Sequence, residues 1–189
     1  MNNKLYKIIV IFLYLSIFRP GEAQQIAIKT NLLYWATTTP NLGVEVALRR
    51  KITLDLAANY NAWDCFPDNM SLRHYLIQPE LRYWTCKRFE GHFFGLHAMG
   101  GEFNIGNIPF IPSLKEYMYR GHLIGGGLSY GFHWVTGKRW GIELEIGAGY
   151  LQMKYDKYIC RECAEIVTSY KRNYFGPTRI AFNLVYFIH

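Results

Sequence analysis

Ten ionisable side chains share one face of the strands that this sequence predicts, and they are the first candidates for chemistry. They comprise three bases, five carboxylates and two histidines: Lys29, Arg82, Arg179, Glu45, Asp55, Glu80, Glu143, Glu145, His97 and His133. Acids and bases that face one another can line a pore or a proton path. They can also form a plug of ion pairs, because a buried charge without a partner costs several kcal/mol. We expect the plug, with a narrow channel as the alternative.

A serine, a histidine and a carboxylate on the same face raise the hypothesis of a hydrolase acting on lipid. Ser129, His133 and Glu145 have the residue types of a catalytic triad. Four strand residues, however, separate Ser129 from His133 by about 13 Å, whereas a nucleophile and its base must lie within about 3 Å of each other. A lipid-modifying enzyme is therefore the least favoured function, and we expect no catalytic residues. The common metal and nucleotide motifs are absent from the sequence, so no metal or cofactor is expected.

The cysteines form the sharpest local pattern. Cys160 and Cys163 are two residues apart in a long predicted loop, and Cys65 lies in another. A structural zinc ion takes four ligands, and these cysteines supply three at most. A redox motif would need a βαβ setting, which this pattern lacks. For a chain that is exported, as its N-terminus predicts, we expect a small disulfide between Cys160 and Cys163.

The loop that holds this cysteine pair is also basic, with an excess of two positive charges over residues 154–172. Each cation near an anionic membrane surface can contribute about 1 kcal/mol, and Arg can bind phosphate through two parallel hydrogen bonds. One hypothesis is that Lys157, Arg161, Lys171 and Arg172 contact lipopolysaccharide. An ordinary solvated loop is the somewhat stronger interpretation.

The elements that position these residues begin after an apparent export signal. Lys4 and Lys7 precede an apolar run over 8–18, and residues 21–23 form a small-x-small cleavage site. The run is shorter than the roughly 20 residues that span a bilayer as a helix. We therefore predict a cleaved signal peptide over 1–23 and one domain over 24–189.

Composition narrows the class of that domain. Of the 189 residues, 50% are apolar, 17% are aromatic and only 19% are charged, against about 25% charged residues in an ordinary soluble domain. This apolar content excludes intrinsic disorder. The net charge of +7 is modest, and part of it belongs to the signal. It does not indicate a nucleic-acid partner.

Eight stretches alternate apolar and polar residues with a period of two, which predicts strands with one apolar face. They cover 25–36, 41–49, 51–61, 73–84, 92–104, 119–135, 139–155 and 174–189. The uncharged stretch from Gly121 to Gly137 has the glycine spacing of a helix-dimerisation motif. Its three consecutive glycines and its alternation favour a strand instead. Pro79 lies within the fourth stretch, where we expect a bulge.

The links between these strands alternate between short turns and long loops, the long ones at 61–72, 105–118 and 156–173. The five tryptophans stand at strand ends in two belts: Trp35 and Trp63 at one end, and Trp84, Trp134 and Trp140 at the other. Both features are typical of a bacterial outer-membrane barrel. We predict an eight-stranded, antiparallel, up-and-down transmembrane β-barrel with both termini periplasmic and its polar face inside. A lipocalin-like barrel with its apolar face inside is the alternative.

Several segments carry a resemblance to a known family. They are KTNLLY at 29–34, TTTPNLGVE at 37–45, QPELRYW at 78–84, GHF at 91–93, GKRW at 137–140, YDKY at 155–158 and NYFGPT at 173–178. Over essentially the whole mature chain, the sequence resembles an exported domain-of-unknown-function family from Gram-negative anaerobes. The resemblance implies an outer-membrane β-barrel of the cell envelope, sometimes encoded beside fimbrial components. It implies no activity and no catalytic residue.

The expected function is therefore structural or interactive. The long loops would present a surface to a surface appendage, another protein or lipopolysaccharide. Exposed tyrosines suit such a surface because they are favoured at interfaces, and the candidates are Tyr117, Tyr119, Tyr158 and Tyr170. The alternatives are a narrow channel and, less favoured, a lipid-modifying enzyme.

Overall fold

A computed structural model describes residues 25–62, 71–106, 118–158 and 166–188. It contains eight strands and one short helix, in this order: β1 (Ile26–Asn31), α1 (Leu32–Ala36), β2 (Asn41–Arg49), β3 (Ile52–Asn61), β4 (Ser71–Trp84), β5 (Gly91–Gly106), β6 (Met118–Val135), β7 (Trp140–Tyr158) and β8 (Ile166–Ile188). The predicted signal peptide, Trp63, Cys65, Tyr117, the Cys160–Cys163 pair and Arg161 lie outside the described residues.

The strands form one antiparallel sheet in which each strand pairs with the next along the chain. β1 also pairs with β8, from Ile26 opposite Ile188 to Asn31 opposite Asn183, so that the sheet closes into a barrel. The predicted all-β, eight-stranded, up-and-down order is confirmed. The start of β1 and the end of β8 lie at the end of the short links, which we call the lower end. Within the described ranges, no helix is long and apolar enough to cross a bilayer.

The first strand is shorter than predicted. It ends at Asn31 rather than at residue 36, because the Asn31 side chain accepts a hydrogen bond from the Leu33 amide at 3.1 Å and caps α1. The Asn31 amide in turn donates to the side-chain oxygen of Asn41 at 2.6 Å. An Asn that satisfies an amide of the first helical turn favours a helix start over a continued strand.

The later strands are longer than the earlier ones. β2 and β3 have 9 and 10 residues, whereas β7 and β8 have 19 and 23. The added length converts most of the predicted loop 156–173 into strand, with Lys157 opposite Thr168 and Tyr155 opposite Tyr170. The barrel therefore has a low wall, β1 to β3, and a tall wall, β4 to β8. The end of the tall wall is the upper end.

The apolar face of the strands points outward and the charged face points inward. Leucines and isoleucines along the outer surface are exposed, among them Leu54, Leu81, Leu96, Leu128, Ile146 and Ile180. The charged residues of the opposite face are buried. This arrangement matches the predicted polar interior, and the lipocalin-like alternative is wrong.

The uncharged glycine-rich segment is strand β6, as its alternation predicts. Gly125 and Gly127 face the interior, where the strands curl tightly against one another. A Cβ atom at either position would lie 2.2 Å from a backbone carbonyl oxygen of β7, that of Tyr150 or Ala148. The two strands approach so closely that only glycine fits at these positions. The resemblance of the glycine spacing to a helix-dimerisation motif is therefore coincidental.

The expected bulge at Pro79 is wrong. Pro79 lies opposite Leu56 of β3 in an unbroken register, and the pairs with β5 stop at Ile77 and resume at Glu80 without a shift. The missing N–H thus interrupts the ladder to β5 but leaves the alignment unchanged. A register shift occurs at the other strand proline instead, where Arg179 and Pro177 face consecutive residues of β7.

Candidate functional site

Arg82 of β4 lies at the centre of the interior and is fully buried. Its guanidinium nitrogens lie 2.9 Å from Glu45 Oε2, 2.9 Å from Glu143 Oε2 and 2.7 Å from Glu145 Oε2. The flat face of the guanidinium group stacks on the Phe93 ring, 4.3 Å from its centroid. Arginine suits this position because its planar fork can serve several carboxylates at once.

Of the other two cations, Lys29 shares two carboxylates with Arg82, and Arg179 binds the two that remain. Lys29 Nζ lies 2.9 Å from Glu143 Oε2, and it also contacts Glu45. Arg179 places one terminal nitrogen 2.9 Å from Asp55 Oδ2 and 3.1 Å from Glu80 Oε2. We call the eight residues together the ionic cluster: Lys29, Glu45, Asp55, Glu80, Arg82, Glu143, Glu145 and Arg179. The structure brings all eight predicted residues together.

The ionic cluster has five carboxylates and three cations. It carries an excess of two negative charges when His97 and His133 are neutral. His133 Nδ1 lies 3.6 Å from Glu143 Oε2, and His97 Nε2 lies 2.9 Å from the Thr178 hydroxyl beside the register shift. Because every charge has several close partners, the charges act as one coupled unit rather than as separate pairs.

Glycines on the inner face make room for the cluster. A Cβ atom at Gly95 would lie 1.8 Å from Glu80 Oε1, and one at Gly141 would lie 2.2 Å from His133 Nε2. An interior of eight strands is just wide enough for side chains to fill it. Above the cluster, the remaining cavity has a volume of about 30 Å³ and an amide-rich lining that includes Asn59 and Gln78. This is space for about one or two waters.

Trp84 is a residue of the interior that was predicted to lie on the outer surface. It was expected in the outer aromatic belt, but it is fully buried and donates from Nε1 to the Thr53 hydroxyl at 2.9 Å. Thr53 in turn donates to Glu45. Trp84 is two residues from Arg82 on the same face of β4, so its position in the alternation was the signal. Three of the other tryptophans are exposed on the outer surface as predicted: Trp35, Trp134 and Trp140.

Ser129, His133 and Glu145 do not form a triad. The Ser129 hydroxyl donates to Glu80 Oε1 at 2.6 Å, and His133 lies beside Glu143. Ser129 thus completes the hydrogen bonding of a buried carboxylate, which such a group requires. Among the described residues there is no group of three or more His, Cys, Asp and Glu side chains placed to hold a metal.

Four aromatic rings form a cluster on the inner face of the upper end. Tyr155 of β7 lies at its centre, with ring centroids at 6.4 Å from Phe103, 5.7 Å from Tyr119 and 5.5 Å from Tyr170. A cavity of about 640 Å³ also lies at the upper end, and besides Phe103 and Tyr158 its lining is largely polar or charged, with Arg73, Glu102, Arg120 and Asp156. Aromatic rings with polar tips suit recognition of a partner.

The predicted lipopolysaccharide surface is divided by the strand alternation. Lys171 lies directly opposite Lys154 of β7, whereas Arg172 lies opposite Met153 and Lys157 opposite Thr168. Neighbouring positions of a strand point to opposite faces, so Lys171 cannot share a face with Arg172 or Lys157. Among the described residues of the set, Lys171 therefore lies on a different face from Lys157 and Arg172, and contact with lipopolysaccharide stays a prediction. Lys154 is the partner of Lys171 that the predicted set lacked.

Comparison with known proteins gives one match. A family described as "Protein of unknown function (DUF3575)" matches residues 8–188. The chain belongs to the DUF3575 family. The expected resemblance to a family of unknown function is thereby confirmed, and the match bears on nothing else that the resemblance implied. No curated protein and no solved structure matches the chain.

Membership of the DUF3575 family supplies no activity, so the chemistry must be inferred from the geometry. The ionic cluster is buried and internally satisfied, which suits a structural role. The upper end is open, aromatic and flanked by charges, which suits binding. These two regions, rather than a catalytic centre, are the candidate functional parts of this DUF3575 chain.

Proposed function

We propose that this protein is a bacterial outer-membrane β-barrel of the structural or interaction type, whose upper end presents a binding surface outside the cell. The observation that carries the proposal is the inverted barrel, with its apolar side chains outward and its charges inside. Leu128 and Ile180, for example, are 68% and 58% exposed. A continuous exposed apolar surface is rare on soluble monomers and marks a contact with membrane or partner.

The height of the outward apolar surface supports a membrane. On β7 the outward positions are apolar from Trp140 to Tyr150 and become polar at Gln152 and Lys154. This span is close to the 9–11 residues of a tilted transmembrane strand. Trp140 is 49% exposed, as is appropriate for an interfacial anchor. Since the described chain ends lie at the lower end, both termini would be periplasmic.

The interior supports a closed barrel rather than a channel. Arg82, Trp84 and Phe93 fill the cross-section, and each is fully buried. The upper end, in contrast, has a cavity of about 640 Å³ with a lining of aromatic and charged residues. The function proposed for it is display of a binding surface to a surface appendage, another protein or lipopolysaccharide.

Heat modifiability and detergent dependence test the membrane proposal. The full chain, expressed with its own N-terminus, should fractionate with outer membranes, and it should need detergent for extraction. Unboiled protein should migrate differently from boiled protein on a gel. Recovery of folded protein from periplasm without detergent would overturn the proposal.

Conductance in planar bilayers tests the closed interior. The folded protein should show no steady conductance above that of the protein-free bilayer, because the ionic cluster occupies the cross-section. A replacement of Arg82 that still inserts should raise the conductance. Steady opening of the unmodified barrel would instead support the channel.

A further inference from the structure

A second binding feature lies on the outer surface of the tall wall, above the apolar band. Lys154 of β7 lies directly opposite Lys171 of β8, and on its other side it lies directly opposite His122 of β6. All three residues are exposed. Directly opposed residues of an antiparallel pair have Cβ atoms about 4.5–5.5 Å apart.

Two lysines in this relation repel each other, and like charges directly opposite one another destabilise a sheet. An anion between them removes the repulsion. The nearest carboxylate along β7 is Asp156, which accepts a hydrogen bond from Ser169 at 2.6 Å and lies opposite Arg120. Arg120 and Ser169 thus flank that carboxylate one row above the two lysines.

A groove beside these residues could accommodate the anion. Its volume is about 370 Å³, and its lining includes His122, Glu102, Lys154, Ile124 and Gly100. Glu102 of β5 lies directly opposite His122, so this carboxylate faces the imidazole. Gly100 leaves part of the groove floor without a side chain. Ile124, at the lower side of the groove, is 62% exposed. At its upper side the groove therefore has Lys154 beside the facing His122 and Glu102, and at its lower side it is apolar. Lys171, opposite Lys154, adds a second ammonium group next to the groove.

We propose that Lys154 and Lys171 bind the phosphate of an anionic lipid headgroup, with an acyl chain of that lipid lying along Ile124 and with His122 and Glu102 at the edge of the site. This inference rests on the proposed membrane insertion and names the ligand of one surface of the barrel. Each of the two ammonium groups can donate a hydrogen bond to a phosphate oxygen. The apolar side of the groove is what distinguishes a lipid from free phosphate.

The test uses the full mature chain in vesicles of phosphatidylcholine, with or without phosphatidic acid. Thermal unfolding is followed by the heat-modifiable gel shift. Phosphatidic acid should raise the unfolding midpoint of the unmodified protein by about 2–4 °C, since a ligand that binds only the folded state stabilises it. The double variant Lys154→Gln/Lys171→Gln should lose at least half of that gain. Lys138→Gln is the matched control, because Lys138 lies in a short turn at the lower end and should retain the gain.

The variant Lys171→Glu separates a binding role from a merely structural one. It places opposite charges across β7 and β8, so its midpoint in phosphatidylcholine alone should exceed that of the unmodified protein. Its gain from phosphatidic acid should vanish. Inorganic phosphate added to phosphatidylcholine vesicles should give no gain. An equal gain from inorganic phosphate would overturn the assignment to a lipid.

The outcomes distinguish this site from the proposed function. If every variant inserts and gains equally from phosphatidic acid, the site is wrong and the membrane barrel stands. If no protein inserts into either kind of vesicle, the membrane proposal itself fails, and the lipid site fails with it.

Discussion

The two halves of this barrel are built in opposite ways. In the lower half, charged side chains such as Arg82 and Glu145 fill the interior, and leucines and isoleucines cover the outside. In the upper half, Phe103 and Tyr155 face the interior, and Lys154 and Lys171 lie on the outside. The change occurs within single strands, and between β7 and β8 it lies close to the register shift at Arg179 and Pro177.

Strand β7 shows the reversal most clearly. Glu143 and Glu145 point inward below, and Leu151 and Met153 take the inward positions above. The outward positions change from Leu144 and Ile146 to Gln152 and Lys154 over the same length. The alternation along β7 continues without interruption, so its side chains mark the level at which the surroundings change from lipid to water in the proposed membrane.

The largest expected effect comes from removing the central cation of the lower half. Arg82→Met leaves five carboxylates with two cations, and breaking a buried ion pair typically costs about 3–5 kcal/mol. We expect most of the protein to lose its heat-modifiable form. Arg120→Met, on the outer surface of the upper half, is the control and should fold normally. Equal behaviour of the two variants would contradict the central role of Arg82.

A charge on the outward surface should be costly only below the reversal. Leu128→Arg places a cation within the apolar band, which costs about 2–4 kcal/mol in the middle of a bilayer. His122→Arg, on the same strand and face but above the band, should change the free energy of unfolding by less than about 0.5 kcal/mol. Urea unfolding in phosphatidylcholine vesicles measures both. If the two costs are similar, the reversal does not mark a membrane boundary.

Overfilling the lower interior should have a moderate effect. Gly95→Ala brings a methyl group into the position of Glu80 Oε1, and overpacking costs about 1–3 kcal/mol. Gly137→Ala is the control, because a Cβ atom there has no neighbour within 4 Å. The comparison of their urea midpoints should show a loss for Gly95→Ala alone. A tolerated alanine at both positions would mean that the ionic cluster is loosely packed.

The smallest expected effect concerns a single donor. Trp84→Phe removes the indole N–H that binds Thr53, and losing such a hydrogen bond costs about 0.5–1.5 kcal/mol. Trp134→Phe, at an exposed position on the outer surface, should cost less. Vesicle unfolding of the two variants side by side should rank them in this order, and the opposite order would argue against an internal role for Trp84.

The inward and outward residues of the lower half could be predicted from the sequence, whereas those of the upper half could not. A period of two over whole strands identifies the inward charges, because the two faces differ strongly in polarity. It places Arg82 and Glu143 together even though they are 61 positions apart. Above the reversal both faces carry polar and apolar residues, so the alternation is weak. Residues such as Lys171 were therefore predicted to lie in a loop.

Individual misplacements have local causes. Asn31 ends β1 early through a cap, a side-chain hydrogen bond that periodicity does not report. Trp84 was assigned by residue type rather than by its position in the alternation. The bulge was assigned to Pro79, but a proline can interrupt one ladder and leave the register intact.

The ionic cluster also constrains the order of assembly. Its charges come from six different strands, with Lys29 on the first and Arg179 on the last. A sheet in which these two strands have not yet met separates Glu143 from Lys29 and Asp55 from Arg179. Intermediate, partly closed states are therefore penalised electrostatically, and closure of β1 onto β8 is the step that relieves the penalty. The charges at the seam between β1 and β8 thus stabilise the closed barrel. A chain truncated before residue 179 would lack Arg179 and could not complete the ionic cluster.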